Sequence, residues 1–78
     1  MKTTRYFDVI RQRIDRVEIK DAWIMRAVNH PEREEVQADG RIRRWARIPE
    51  AGGRALRVVL LQDKETVHNA FFDRRFRL

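Results

Sequence analysis

Residues Ala38–Ile48 read ADGRIRRWARI, and the fold is decided in this stretch. Asp39-Gly40 predicts a two-residue type I′ hairpin turn, because both central positions of that turn require φ > 0. Beyond the turn the residues alternate. Ile42, Arg44, Ala46 and Ile48 point to one side of a strand, while Arg41, Arg43, Trp45 and Arg47 point to the other. The first side has apolar surface to bury. The second surrounds an indole with guanidinium groups and suits something anionic and aromatic.

The two-residue period continues on both sides of the turn. Residues 33–38 are predicted to pair back onto residues 41–48. A two-residue turn sets Val36 opposite Arg43, Glu35 opposite Arg44 and Glu34 opposite Trp45, making Glu35–Arg44 a cross-strand ion pair. Pro49–Gly53 reads as a loop. Residues 54–61, RALRVVLL, form the most apolar strand, expected at the centre of the sheet. A polar turn over Gln62–Glu65 leads to a last strand over residues 66–72 and a basic tail from Asp73.

Upstream of residue 33 the period is helical. Tyr6, Phe7, Val9, Ile10 and Ile14 leave an apolar stripe on a helix over residues 5–14. Asp15 with Glu18 three residues on has the pattern of a capping box, which starts a second helix at residue 16. That helix ends at Asn29, because His30 precedes Pro31. Ile19, Trp23 and Ala27 form one apolar line and Val17, Ile24 and Val28 another. So wide an arc predicts a helix sandwiched between the first helix and a sheet. The expected architecture is α+β, one domain over residues 1–78, with two N-terminal helices on one face of a four-stranded antiparallel meander.

Composition narrows the function. The chain has no cysteine, and no His/Asp/Glu grouping has metal-ligand spacing, so neither disulfide nor metal nor other cofactor is expected. Glu32, Glu34 and Glu35 read as solvated or ion-paired. A glycine-rich phosphate loop and a Ser-His-Asp pattern are both missing. No apolar run approaches the roughly 20 residues of a membrane span, and Met1–Arg5 leads into no signal-like segment, so a cytoplasmic location is expected. The formal net charge is +6, with 15 arginines against 3 lysines. It is uneven, −3 over residues 21–40 and +5 over residues 41–57. Such a balance suits nucleic acid, an acidic partner protein, or both.

Several local patterns then fall together: Ile14-Asp15-x-x-x-Ile19 ahead of the second helix, DGR opening a strand, LRVV at Leu56–Val59, and an aromatic strand end followed by a basic tail. In this order the chain resembles the small domains grouped with RelE-like and BrnT-like toxins, within the barnase/EndoU/colicin/RelE-type ribonuclease fold. The resemblance implies a metal-independent endoribonuclease of a toxin–antitoxin module, or a degenerate relative, held in check by a small acidic antitoxin protein encoded next door. Many such domains start their first helix with a His-Ala pair. Here Thr4-Arg5 stands in that place, and Arg11 and Arg13 match the later arginines only loosely.

Metal-independent RNA cleavage needs a base for the 2′-hydroxyl, cations for the phosphorane and an acid for the leaving oxygen. His68 is the one histidine on a predicted strand and the natural acid or base. Arg57, if its register places it on the open face, and Arg74 complete the expected catalytic set. Arg41, Arg43, Trp45, Arg47 and Arg75 are the expected RNA-binding residues. Each has a structural alternative. His68 can be a hydrogen-bonded core histidine, Trp45 can pack against Val36, and Asp73 can form a turn or orient Arg75 or His68. Trp23 reads as core and His30 as a helix end. Besides a ribonuclease, two other readings remain: a non-catalytic nucleic-acid-binding module of the same fold, and a protein-binding domain docked by an acidic segment. All three place the guanidinium side of the sheet outward.

Overall fold

Thr4 opens the first helix. Its side-chain oxygen accepts the Phe7 N–H at 3.1 Å and caps α1 (Arg5–Ile10) in the computed structural model, which describes residues 1–77. The helix stops four residues short of the predicted end. Past Ile10 the bonds tighten to i→i−3, Gln12 N–H to Val9 and Arg13 N–H to Ile10, as at many helix ends. Only Phe7 and Ile10 of the apolar stripe reach the core, while Tyr6 and Val9 face solvent and Ile14 is 94% exposed.

Residues 11–18 form turns rather than the start of a second helix. The capping box is therefore not made. Asp15 lies beside Arg13 and Arg16, and Glu18 pairs with Arg54 at 3.3 Å. What competes with helix here is Arg16, whose guanidinium donates to Asn69 Oδ1 at 2.7 Å and lies over the Phe71 ring, tying the segment to the last strand. α2 spans Asp21–Asn29, behind Lys20 as an N-cap without a side-chain bond. Asp21 in its first turn complements the helix dipole. His30 closes it, its N–H donating to the Arg26 carbonyl. Trp23, Ile24 and Ala27 face the core, and Val17 of the second predicted line is exposed.

The four strands are β1 (Arg33–Val36), β2 (Ile42–Ile48), β3 (Arg54–Leu60) and β4 (Val67–Phe72), β1 two residues shorter than predicted and the other three each one residue shorter. They form an antiparallel meander in the order β1-β2-β3-β4. A short 3-10 turn over Pro49–Ala51 joins β2 to β3. α2 packs on β2 and β3 and α1 on β4, so the helices lie side by side on one sheet face and α2 is not sandwiched. Ile42, Ala46, Ile48, Leu56, Val58, Leu60, Val67 and Ala70 supply the sheet's share of the core beneath them.

The first hairpin differs from its prediction. Gly40 N–H donates to the Gln37 carbonyl, Gln37 N–H donates to the Arg41 carbonyl, and only Gly40 has positive φ, +89°, within the loop. This is a three-residue connection with a left-handed glycine, not a type I′ turn. The extra residue shifts the register by one. Arg33 faces Trp45, Glu34 faces Arg44, Glu35 faces Arg43 and Val36 faces Ile42. The ion pair therefore joins Arg44 to Glu34, at 2.7 Å, and that bond holds the Glu34 carboxyl below the usual carboxylate range. Gly40→Ala is expected to cost about 1–2 kcal/mol in urea denaturation, because a Cβ is strained at this φ. A loss under about 0.3 kcal/mol would refute a left-handed requirement at this position.

Candidate nucleic-acid interface

With the helices on one face, β2 presents Arg43, Trp45 and Arg47 on the other, as the alternation predicts. Cross-strand register adds Arg33 and Glu35 from β1, Arg57 and Val59 from β3, and Asn69 and Phe71 from β4. Arg57 thus stands on this face, between two rings, its guanidinium carbon 5.5 Å from the Trp45 centroid and 5.1 Å from that of Phe71. Burial and the charge of Arg43 lower its pKa, yet an arginine stays cationic at any physiological pH. Its Nε has no hydrogen-bond partner, and its nearest carboxylate is Asp73 at 3.7 Å.

Trp45 is on the expected side but is not open to a ligand. It is 5% exposed. Phe76 of the C-terminal tail stacks on it with centroids 5.7 Å apart, Arg33 lies over its ring, and its indole N–H donates to Asp73 Oδ2 at 2.9 Å. The expected partner Val36 is 69% exposed and pairs with Ile42 instead. Asp73 is both turn former and anchor, since its other oxygen accepts the Arg75 N–H. Burial alone would raise its pKa. The Trp45 and Arg75 hydrogen bonds and the Arg57 charge outweigh burial and leave it below the ordinary aspartate value.

Beside Phe76 the face runs into a groove of about 490 Å³ between the β4 end and the 11–18 turns. Arg16, Arg47, Arg54 and Arg74 line it, together with Asp15, Glu18 and Asp73. Three of these arginines are braced by phenylalanine rings: Arg54 over Phe72 at 3.9 Å, Arg16 over Phe71 at 5.2 Å and Arg47 over Phe76 at 5.7 Å. Stacking on a ring fixes a flexible side chain while leaving its N–H fork and outer face free for an anion or a base. The half-exposed ion pairs Arg47–Glu32 and Arg54–Glu18, both at 3.3 Å, are weak and readily exchanged for phosphate. Arg74, Arg75 and Arg77 form no ion pair among the described residues, and all three are exposed.

The expected catalytic set is not assembled. His68 is the extra residue of a bulge, where the register slips between Val59–Asn69 and Leu60–Val67. It stacks on Tyr6 at 4.8 Å, and its Nδ1 lies 3.0 Å from Thr4 Oγ1. Thr4 Oγ1 also accepts the Phe7 N–H, so one hydroxyl joins the α1 cap to the imidazole. Arg57 lies further along the sheet, and Arg74 beyond the opposite end of β4. Arg41 stands at the hairpin end with Asp39, away from the groove. Arg43, Arg47 and Arg57 are the predicted residues that share the open face, Arg74 lines its groove, and Arg75 is exposed on the tail. The sequence reading missed Arg16, Arg54, Phe71 and Phe76. Phe76, one aromatic inside a run of arginines, was the visible signal.

Burial and then the nearby Arg41 charge lower the His68 pKa, against the pull of Asp39. Below about pH 6.5 the unfolded chain takes up a proton that the native imidazole still refuses, so stability falls with acidity in that window. Urea midpoints at pH 7.5 and 5.5 are expected to show this loss in the wild type and a smaller one in His68→Gln. Equal losses would place the effect elsewhere.

Among the described residues no group of His, Asp or Glu side chains is arranged to hold a metal, and no helix is long and apolar enough to cross a membrane. No protein-family model, curated protein or solved structure matches this chain.

Proposed function

We propose that this chain binds single-stranded RNA along the helix-free sheet face and its arginine groove. The observation that carries the reading is a set of guanidinium groups braced on rings, Arg57 on Trp45, Arg47 on Phe76 and Arg16 on Phe71, with Arg54 on Phe72 at the helix-side rim of the groove. Held in place before a ligand arrives, they lose little freedom on gripping phosphates. Their outer faces suit unstacked bases. A groove closed on one side by the 11–18 turns favours a strand over a duplex. The choice of RNA over DNA leans on the resemblance of the chain's sequence patterns to RelE-like and BrnT-like toxin domains. The small acidic antitoxin implied by that likeness would compete for the same cations.

Binding, rather than cleavage, is the function the geometry favours, because His68 is bonded to Thr4 and stands apart from Arg57 and Arg74. Titration of a labelled octauridylate by the full chain tests both points. With about four phosphate contacts, affinity is expected to fall roughly 50-fold between ~50 and ~200 mM salt, and the oligonucleotide to be recovered intact. Affinity indifferent to salt would rule out the phosphate-gripping surface. Shortening of the strand that His68→Ala abolishes would favour the ribonuclease instead.

A further inference from the structure

The tail after β4 is arranged on the open face in a manner that ordinary tail packing does not require. Asp73 gives a carboxylate oxygen to the Trp45 indole N–H, with Arg57 3.7 Å away. Three residues on, the Phe76 ring lies on Trp45 with 26° between planes, and Arg47 is over that ring. The next carbonyl, of Arg77, accepts from Arg33 Nη1 at 2.9 Å. An anion, a flat ring and an acceptor oxygen thus meet, in order, a cation with an N–H donor, an indole face and a second cation. A nucleotide offers the same sequence of groups: phosphate, base, and a further phosphate or sugar oxygen.

Among the described residues the tail adds no strand to the sheet, and its one internal backbone–backbone bond, Phe76 N–H to the Asp73 carbonyl, is long at 3.4 Å. Arg74, Arg75 and Arg77, between and beyond the two anchors, are exposed. Its three arginines, which form no ion pair among the described residues, would gain phosphate partners from a bound strand.

We propose that Phe76 fills a nucleobase subsite on Trp45, and that single-stranded RNA binds by displacing the Phe76 ring and seating a base on the indole. This deepens the RNA-binding reading and rests on it. Trp45, unavailable in the free protein, becomes the stacking platform in the complex, with Arg33 and Arg57 as its flanking cations.

The test uses the full chain with Trp23→Phe, so that Trp45 is the one tryptophan and its emission reports the subsite. Octauridylate is titrated against this protein and against its Phe76→Ala and Phe76→Leu forms. Leucine keeps apolar cover over the indole and so guards against loss of fold. Inorganic polyphosphate of similar charge serves as the base-free probe. Octauridylate is expected to quench Trp45 emission and to bind about three- to tenfold tighter to Phe76→Ala, the gain from removing one competing aromatic stack. A smaller gain is expected for Phe76→Leu. Polyphosphate is expected to bind without that quenching. Octauridylate binding that leaves Trp45 emission and the Phe76 variants' affinities unchanged would overturn the subsite and leave the RNA interface standing. Equal quenching by polyphosphate would also overturn it, since charge alone would then move the tail. Failure of octauridylate to bind any form would bring down the RNA interface and the subsite with it.

Discussion

Alanine at Arg47, Arg54 and Arg74 together is expected to weaken octauridylate binding by about 100-fold. The three line one groove, and Arg47 and Arg54 are held on phenylalanine rings. After solvent screening, each contact with a phosphate is worth about 1 kcal/mol, so three amount to roughly 3 kcal/mol. That converts to a factor of about 150 in Kd if additive, and somewhat less if the contacts share phosphates. The salt dependence changes too: its logarithmic slope should fall by about 0.7 for each arginine that had gripped a phosphate. The matched control removes the same charge from the other side, at Lys2, Arg26 and Lys64. Lys2 and Lys64 border a different depression with α2 residues, and Arg26 pairs with Glu50. Equal losses in the two triple variants would mean that net charge, not the groove, attracts RNA.

Trp45→Ala is expected to cost about 3–5 kcal/mol of stability, as large-to-small changes of a buried aromatic do. A 78-residue chain has only about 4–12 kcal/mol to lose, so this variant should be marginal or unfolded at 25 °C. The size of the loss follows from what the indole touches. It stacks on Phe76, lies under Arg33 and Arg57, and donates to Asp73, so its removal leaves a cavity and an under-bonded carboxylate. Trp45→Phe keeps the ring and loses the N–H, and should cost about 1 kcal/mol plus any repacking. An exposed ligand-stacking tryptophan would instead tolerate alanine within about 0.5 kcal/mol. Thermal melts of the two variants separate these cases.

The two-residue period from Arg33 onward placed the four strands of the meander, and the alternation in Ala38–Ile48 gave β2 an apolar side to bury. Ile42, Ala46 and Ile48 are buried on that side as read. What alternation cannot give is the length of a turn. Asp-Gly suits both a two-residue loop and a three-residue loop with a left-handed glycine, and the choice moves every cross-strand partner of β1 by one. The helix ends were misread for a different reason. Ile14, Asp15, Val17 and Glu18 have the spacing of helix and cap, but Arg16 is drawn to Asn69 and Phe71, 53 and 55 positions along the chain, and local pattern carries no trace of that competition. The candidate site was legible where it lies on strands, at Arg43, Arg47 and Arg57. It was hidden where the 11–18 turns and the tail fold over the sheet to contribute Arg16 and Phe76.

The central claim is that the helix-free face and its groove are where RNA lies. Backbone amide shifts recorded by ¹H–¹⁵N NMR during an octauridylate titration test it residue by residue. The expected changes fall on Arg43–Arg47, Arg54–Arg57 and Phe71–Arg77, with α2 nearly silent. Changes concentrated on α1 and α2, or spread evenly over all fifteen arginines, would contradict it.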